Sequence, residues 1–169
     1  MREILFRGFH KNENGKQKVF VNGEWIKGEW VYGYPVIDTG DCSLKAEGKC
    51  FCPHDGTSIF FWDDDFHEYT DCNIIPETLG QYTGLTDKNG NKIFEGDICS
   101  FLNNHNIYLI VLNRHGWQCK KIGGDFSLTL GCSFPLWQWD NCKENGYRTL
   151  EVIGNIHDNP ELLEVVQNE

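Results

Sequence analysis

The chain has 169 residues, 40% of them hydrophobic and 24% charged, which is typical of a globular protein with one domain or two small ones. The formal net charge of −10 argues against a protein whose main task is to coat nucleic acid backbone. No apolar run is close to the length of about 20 residues that a membrane helix needs, and the start MREILFRGFHK lacks signal-peptide features. We therefore expect a cytoplasmic protein with no membrane partner.

The first third of the chain reads as strands and turns. REILFRGF alternates as a strand does, NENG (12 to 15) is a turn signal, and KVFV is the expected partner strand. EWIKGEWVYGYPVI is rich in aromatic and β-branched residues, so we expect extended chain bent at Gly28 and Gly33.

The middle third begins with an aperiodic stretch, 38 to 56, that we interpret as a loop. TSIFFW and FHEYT, separated by acidic residues, predict a hairpin. IIPETLGQYTGL predicts one short helical turn that begins at Pro76, because proline suits the first helical position. The strongest turn signal of the chain follows at Asn89-Gly90.

The last third predicts a meander of short strands, GDICSF, NIYLIVLNR and HGWQCKKI, which is typical of a small SH3-like barrel. SFPLWQWDNCKENG predicts a short helix that closes at Gly146, and LEVIGNI a final strand. DNPELLEVV predicts a terminal helix with Asn159 as its N-cap. We therefore expect a mainly β protein with short helices: a β-rich part over 1–80 and an SH3-like barrel part over 81–169, packed as one compact unit.

Charge is unevenly distributed along the chain. From Asp38 to Asp97 there are 13 acidic and 4 basic residues, whereas no acid lies between Asp97 and Asp125. This acid-free run contains the candidate binding residues, which are Arg114, Trp117, Lys120 and Lys121. Cations beside aromatic rings favour single-stranded nucleic acid or a peptide. The alternative is that Trp117, like Tyr108, belongs to the core and the cations serve solubility.

YPVIDTGD (34 to 41) resembles the Asp-Thr-Gly loop of an aspartic protease. Such a site needs two carboxylates that share one proton, so a single loop requires a dimer with both copies of Asp38 at its axis. The simpler interpretation is a strand that runs into a turn, where the Asp38 side chain bonds its own backbone.

Two other groups of side chains raise the question of a metal. Cys50, Cys52 and His54 offer zinc donors, but the cysteines are one residue apart and no second pair follows, so reduced cysteines in a partly buried loop are the alternative. Asp63–Asp65 with Glu68 offer oxygen ligands, but three consecutive acids at a hairpin tip are typical of a solvated turn. We therefore expect no cofactor.

Three segments carry a resemblance to a known family. PETLGQYTGLTDKNGNKIFEGDI (76 to 98), the N-terminal MREILFRGFHK and EVIGNIHDNPELL (151 to 163) closely resemble the YopX family of temperate phages and prophages. The resemblance implies a β-rich protein with a compact, barrel-like C-terminal part. It implies no established activity.

Together these observations predict a non-enzymatic interaction protein that binds a host or phage protein through its acidic middle region and exposed aromatic residues. The alternative is a module that binds nucleic acid weakly through the strip from Arg114 to Lys121. Edge strands and surplus aromatic residues also favour a homo-oligomer.

Overall fold

The computed structural model describes residues 5–37, 57–63, 68–101, 106–124, 129–139 and 150–164. These residues lie mostly in antiparallel strands, so the mainly β prediction is confirmed. The chain divides into two compact units, an N-terminal unit over Ile4–Gly80 and a C-terminal unit that begins at Gln81. Within the described ranges, no helix is long and apolar enough to cross a membrane.

The strands are β1 (Phe6–Lys11), β2 (Gln17–Val21), β3 (Glu24–Ile37), β4 (Thr57–Asp63), β5 (Glu68–Thr86), β6 (Lys92–Phe94), β7 (Asp97–Phe101), β8 (Asn106–Asn113), β9 (Gly116–Gly124), β10 (Ser133–Pro135) and β11 (Glu151–Asn155). A 3-10 helix spans Leu136–Trp139, and helix α1 spans Glu161–Glu164.

Strand β3 is the common partner of three other strands. Its residues 24–28 pair with β2, residues 28–33 with β1, and residues 34–37 with β4. The predicted pairing of β1 with β2 is therefore wrong, because in the described residues each of these strands pairs with β3 instead. Gly28 marks the change of partner, since it lies opposite Lys11 of β1 and Gln17 of β2.

A two-residue turn explains why β2 pairs with β3. Asn22 and Gly23 connect the two strands, and both have positive φ, 53° and 89°. Positive φ at both central residues is the conformation of a type I′ hairpin turn, whose twist matches that of the strands and which Asn-Gly favours. This turn sets the register with Phe20 opposite Trp25 and Lys18 opposite Lys27.

The N-terminal unit closes on itself because β1 also pairs with β5 and β4 pairs with both β3 and β5. The predicted β4–β5 hairpin is thus confirmed. The helical turn predicted at Pro76 is wrong, because β5 continues through it to Thr86. Hydrogen bonds to β1 hold this segment in place: the Phe9 amide donates to Thr78 Oγ1 at 2.8 Å, and the His10 Nδ1 atom lies 2.7 Å from the Asn73 carbonyl oxygen.

A small core fills the N-terminal unit. Phe9, Val19 and Val21 are buried, and the partly buried side chains that pack against them are Ile26, Trp30 and Ile75. The Phe9 and Trp30 rings meet edge to face with centroids 5.4 Å apart. Complete burial of Phe9 removes about 150–250 Å² of aromatic surface from water, so this ring anchors the core.

The C-terminal unit contains a five-stranded antiparallel sheet with the strand order β10-β9-β8-β7-β11. The three strands predicted between Gly96 and Ile122 and the predicted final strand are confirmed as β7, β8, β9 and β11. The SH3-like assignment of this sheet stays a prediction. The segment expected to form a helix from Ser133 begins as β10 and continues as the 3-10 helix, and residues 140–149 lie outside the described residues.

The core of the C-terminal unit combines aliphatic, aromatic and thiol side chains. Its buried members are Ile93, Cys99, Tyr108, Ile110, Cys119, Leu136 and Leu150. Burial raises the pKa of Cys119 to about 12, so this thiol is neutral and behaves as a small apolar side chain. Cys99 and Cys119 therefore serve as core residues of this unit.

The chain ends, within the described residues, in the predicted helix. Two backbone hydrogen bonds fix its first turn. The Asn159 carbonyl oxygen accepts one from the Leu162 amide at 3.1 Å, and the Pro160 carbonyl oxygen accepts one from the Leu163 amide at 3.0 Å. The last residues of the predicted helix, from Val165, lie outside the described residues.

A buried carboxylate joins the Asn89-Gly90 turn to β11. Asp87 is 2% exposed, and its side chain accepts hydrogen bonds from the amides of Asn89 and Asn91 at 2.8 Å and from the Val152 amide at 3.1 Å. A further bond comes from Asn91 Nδ2 at 3.1 Å. One side chain thus closes its own turn and attaches that turn to a strand 65 residues later.

These hydrogen bonds control the pKa of Asp87. Burial alone would raise the pKa, but the hydrogen bonds from Asn91, Val152 and Asn89 stabilise the charged form and lower the pKa below its ordinary value of 3.8. Because the folded-state pKa lies below the unfolded one, this stabilisation is present at neutral pH and is lost as the pH falls through the folded-state pKa.

The two glycines of the β2–β3 region predict two different costs of substitution. Gly23→Ala forces an alanine into positive φ with open space around it, so we expect a loss of about 1–2 kcal/mol in the free energy of unfolding. Gly28→Ala places a methyl group against the His10 carbonyl oxygen and the buried Phe9 ring, so we expect a loss of about 3 kcal/mol or more. Urea denaturation of each variant measures both losses, and equal losses would contradict this account of the strand junction.

The Asp87 bridge predicts a pH-dependent loss of stability. At pH 7, Asp87→Asn replaces a charged acceptor that holds four hydrogen bonds, and we expect the free energy of unfolding to fall by about 2 kcal/mol. The difference from the unsubstituted protein should shrink as the pH falls below the ordinary carboxyl pKa, because protonation then removes the same charge. Urea denaturation at neutral pH and near pH 3 provides the comparison.

The matched control is Glu151→Gln, which removes the partly exposed ion pair (2.6 Å) between Glu151 of β11 and Lys88 of the turn. Its effect should be smaller than that of Asp87→Asn at neutral pH, because exposed ion pairs contribute little. A constant difference between Asp87→Asn and the unsubstituted protein at all pH values would exclude a role for the Asp87 charge.

Candidate interaction surface

The four residues predicted to form a binding strip on β9 do not share one open surface. Arg114 lies exposed in the β8–β9 turn, where its Nε donates to His115 Nε2 at 3.0 Å. Lys120 is exposed, but Lys121 is 2% exposed and its ammonium donates to Thr129 Oγ1 at 2.9 Å. Two of the three cations therefore remain exposed to solvent.

Strand alternation explains this division. Successive side chains of β9 point to opposite faces of the sheet, so Trp117 and Lys121 share a face with the buried Cys119. Trp117 packs against the core of the C-terminal unit, as does the ring of Phe134 from β10. Tyr108 is itself a buried core residue, so the alternative interpretation of this aromatic side chain is confirmed. The binding role of the strip stays a prediction.

The exposed aromatic residues of the N-terminal unit lie on β3. Tyr32 and Tyr34 are 49% and 56% exposed. They are two residues apart in a strand, so both project from the same face of the sheet, which we call the tyrosine face. Trp30 comes two residues earlier on this face and is partly buried.

The tyrosine face is supported from the core outwards. Trp30 packs edge to face on the buried Phe9, and the Arg7 guanidinium carbon lies 4.9 Å from the centre of the Trp30 ring. Arg7 is 8% exposed and lies directly opposite Tyr32 in the β1–β3 ladder. A cation held over an aromatic ring and enclosed by its neighbours fixes both side chains. The strand that presents Tyr32 and Tyr34 is thus attached to the core through Trp30.

The opposite face of the sheet carries a second group of exposed side chains. Trp25 is 54% exposed, and its ring centroid lies 5.4 Å from that of Phe20 across the β2–β3 hairpin. The next outward pair along this hairpin is Lys18 opposite Lys27, and both lysines are exposed. We call these four residues the hairpin face.

Sequence reasoning did not identify either face by residue. The signal for the hairpin face was the dipeptide Asn22-Gly23, because a two-residue turn at this position pairs Phe20 with Trp25 and Lys18 with Lys27. The signal for the tyrosine face was the spacing of Trp30, Tyr32 and Tyr34, which places three aromatic side chains on one face of a strand.

Within the described residues, the acidic middle region contains two buried acids. Asp87 and Asp97 are buried, 2% and 1% exposed, and the Asp97 carboxylate accepts a hydrogen bond from the Phe94 amide at 2.7 Å. Glu77 is exposed and accepts a hydrogen bond from Asn22 Nδ2 at 3.2 Å. At least two of these acids therefore serve the fold instead of a partner.

Most of the predicted metal and protease residues lie outside the described residues. These are Asp38, Cys50, Cys52, His54, Asp64 and Asp65. Among the residues that the structure does describe, no group of three or more His, Cys, Asp and Glu side chains is arranged to hold a metal ion.

Comparison with known proteins identifies the chain. The model of the YopX protein family matches residues 37–164, a range that contains β4 to β11 and most of the chain. The tyrosine face and the hairpin face precede the matched range. No curated protein matches the sequence. The family match agrees with the resemblance carried by residues 76–98 and 151–163, and the chain therefore belongs to the YopX family.

Proposed function

We propose that this YopX-family protein is a non-enzymatic interaction module of a phage or prophage, which binds a host or phage protein in the bacterial cytoplasm. The observation that carries the proposal is the tyrosine face, where Tyr32 and Tyr34 are half exposed on a strand whose Trp30 packs on the core. Tyrosine is enriched at protein interfaces because its ring supplies apolar area while its hydroxyl remains able to hydrogen-bond.

A partner on the tyrosine face would cover the exposed ring area of both tyrosines. About half of each tyrosine is exposed, so a partner can bury roughly 100 Å² per side chain. At about 25 cal/mol per Å², each ring contributes up to about 2.5 kcal/mol to binding. The ion–ring contact of Arg7 with Trp30 already orders the support beneath the rings, which lowers the entropy cost of association.

The nucleic-acid alternative has less support from the geometry. Of the predicted strip, Arg114 and Lys120 are exposed, while Lys121 is buried and bonded to Thr129. Two exposed cations neutralise few phosphates and yield little affinity at physiological salt. The environment of Lys121 instead favours a structural role.

Site-specific photocrosslinking tests the tyrosine face. A photoreactive phenylalanine analogue at position 32 or 34 should yield a defined crosslinked protein in lysate of the bacterial host, because these positions lie at the proposed interface. The same analogue at Trp137, which is 69% exposed in the C-terminal unit, is the matched control. After mass spectrometry identifies the partner, Tyr32→Ala and Tyr34→Ala should each weaken its binding about tenfold or more in calorimetry.

Two outcomes would count against the proposed function. Crosslinks that form at Trp137 but not at either tyrosine would remove the tyrosine face as the interface. A purified partner whose affinity is unchanged by both alanine substitutions would do the same.

The burial of Lys121 predicts a contrast between neighbouring lysines. Lys121→Ala removes a buried ammonium that bonds Thr129 Oγ1, so we expect the free energy of unfolding to fall by about 1–3 kcal/mol. Lys120→Ala alters an exposed side chain, and its effect should lie within about 0.5 kcal/mol. Thermal and urea denaturation give both values. If Lys121→Ala left stability unchanged, the structural role of this lysine would be excluded.

A further inference from the structure

The hairpin face contains two lysines in an unfavourable arrangement. Lys18 and Lys27 lie directly opposite each other in the β2–β3 ladder, and like charges at such a position destabilise a sheet. Lys16, one residue before β2, is also exposed. The hairpin face thus places two positive charges opposite each other in a chain whose formal net charge is −10.

No carboxylate neutralises this lysine pair within the described part of the chain. Lys27 Nζ donates to the Glu13 carbonyl oxygen at 2.7 Å, a contact with a neutral backbone group that leaves the charge uncompensated. The neighbouring acid on the same face of β3, Glu29, accepts a hydrogen bond from Asn12 Nδ2 at 3.2 Å. An anionic group placed over Lys18 and Lys27 would relieve their repulsion.

An aromatic pair lies beside the lysine pair. Phe20 and Trp25 form the next pair on the same face of the ladder, towards the turn. They lie two residues from Lys18 and Lys27 along each strand, which corresponds to about 7 Å. The Trp25 ring is 54% exposed and is held by Phe20 at 5.4 Å. The hairpin face therefore presents apolar ring area and positive charge side by side on a strand pair fixed by a tight turn.

We propose that the hairpin face binds an acidic segment of a partner protein, with a carboxylate over Lys18 and Lys27 and an apolar side chain against Trp25. This inference rests on the proposed function, because it names the chemistry of the partner. It adds a second contact on the side of the sheet opposite the tyrosine face.

Three features favour an acidic peptide over nucleic acid. The net charge of −10 repels a long polyanion at distances beyond the local lysine pair. Glu29 is exposed beside Lys27 on the same face of β3, and a phosphate backbone of uniform charge would meet it. The Phe20 and Trp25 rings are inclined at 55°, so they do not form a flat platform on which successive bases stack. A peptide can place its carboxylates selectively.

Fluorescence anisotropy with defined probes tests the inference. The acidic probe is a labelled peptide of alternating glutamate and leucine, and the nucleic-acid probe is labelled oligothymidylate. We expect the full-length protein to bind the acidic peptide, with an affinity that falls as salt rises. The double variant Lys18→Glu/Lys27→Glu should lose about tenfold or more of this affinity, and Trp25→Ala should also weaken binding.

The matched control is Arg114→Glu/Lys120→Glu, which changes the net charge by the same amount at two exposed cations of the C-terminal unit. Leu112→Ala, at a side chain 47% exposed, is the control for Trp25→Ala. Circular dichroism and thermal unfolding verify that each variant is folded. Unchanged binding by the two control variants supports the inference.

Three results would overturn it. The first is no binding of the acidic peptide at low salt, and the second is an equal loss in the two charge-reversed variants. The third is tighter binding of oligothymidylate that depends on Lys18 and Lys27, which would assign the face to nucleic acid. If any of these results occurs together with crosslinks at Tyr32 or Tyr34, only the inference about the hairpin face fails and the proposed function stands. If the acidic peptide binds but neither tyrosine forms a crosslink, only the tyrosine face is excluded as an interface.

Discussion

The N-terminal unit depends on the backbone hydrogen bonding of one strand. Over its length β3 pairs with β2, β1 and β4 in turn, so three separate segments of the chain take their register from it. A slip by one residue would exchange the two faces of the strand and remove the Trp30 ring from the core beside Phe9. The turn at Asn22-Gly23 prevents this slip between β2 and β3. The tyrosine face and the hairpin face are consequences of the same register.

The sequence predicts strands better than it predicts their partners. Short strand-like runs between turn signals were sufficient to predict β7, β8 and β9. The prediction that β1 pairs with β2 was wrong. NENG resembles a hairpin turn, but the long-range ladder with β3 decides the pairing of β1. Pro76 suggested a helix for a local reason, but the chain stays extended there as part of β5, and the hydrogen bond from the Phe9 amide to Thr78 Oγ1 ties it to β1.

The candidate surfaces show the same limit of local reasoning. A count of charges along the chain joins Lys120 to Lys121, yet alternation sends one outwards and the other towards Thr129. Lys18 and Lys27 are nine positions apart in sequence, but the ladder places them opposite each other. Their pairing follows from the two-residue turn at Asn22-Gly23, so it could have been predicted from the sequence. The contact of Arg7 with the Trp30 ring depends on the long-range pairing of β1 with β3, so it could not have been predicted from local sequence patterns.

The bridge from Asp87 to Val152 has a consequence for how the chain emerges from the ribosome. The two residues are separated by 65 positions, and at roughly 5–20 residues per second translation takes about 3–13 s to cover them. During that interval β7 lacks its β11 neighbour and the Asp87 carboxylate is satisfied by water or by its own turn. The N-terminal unit is already synthesised by then. Nascent chains therefore pass through a stage with one complete unit and an open sheet edge, which is the stage most exposed to aggregation and to chaperones.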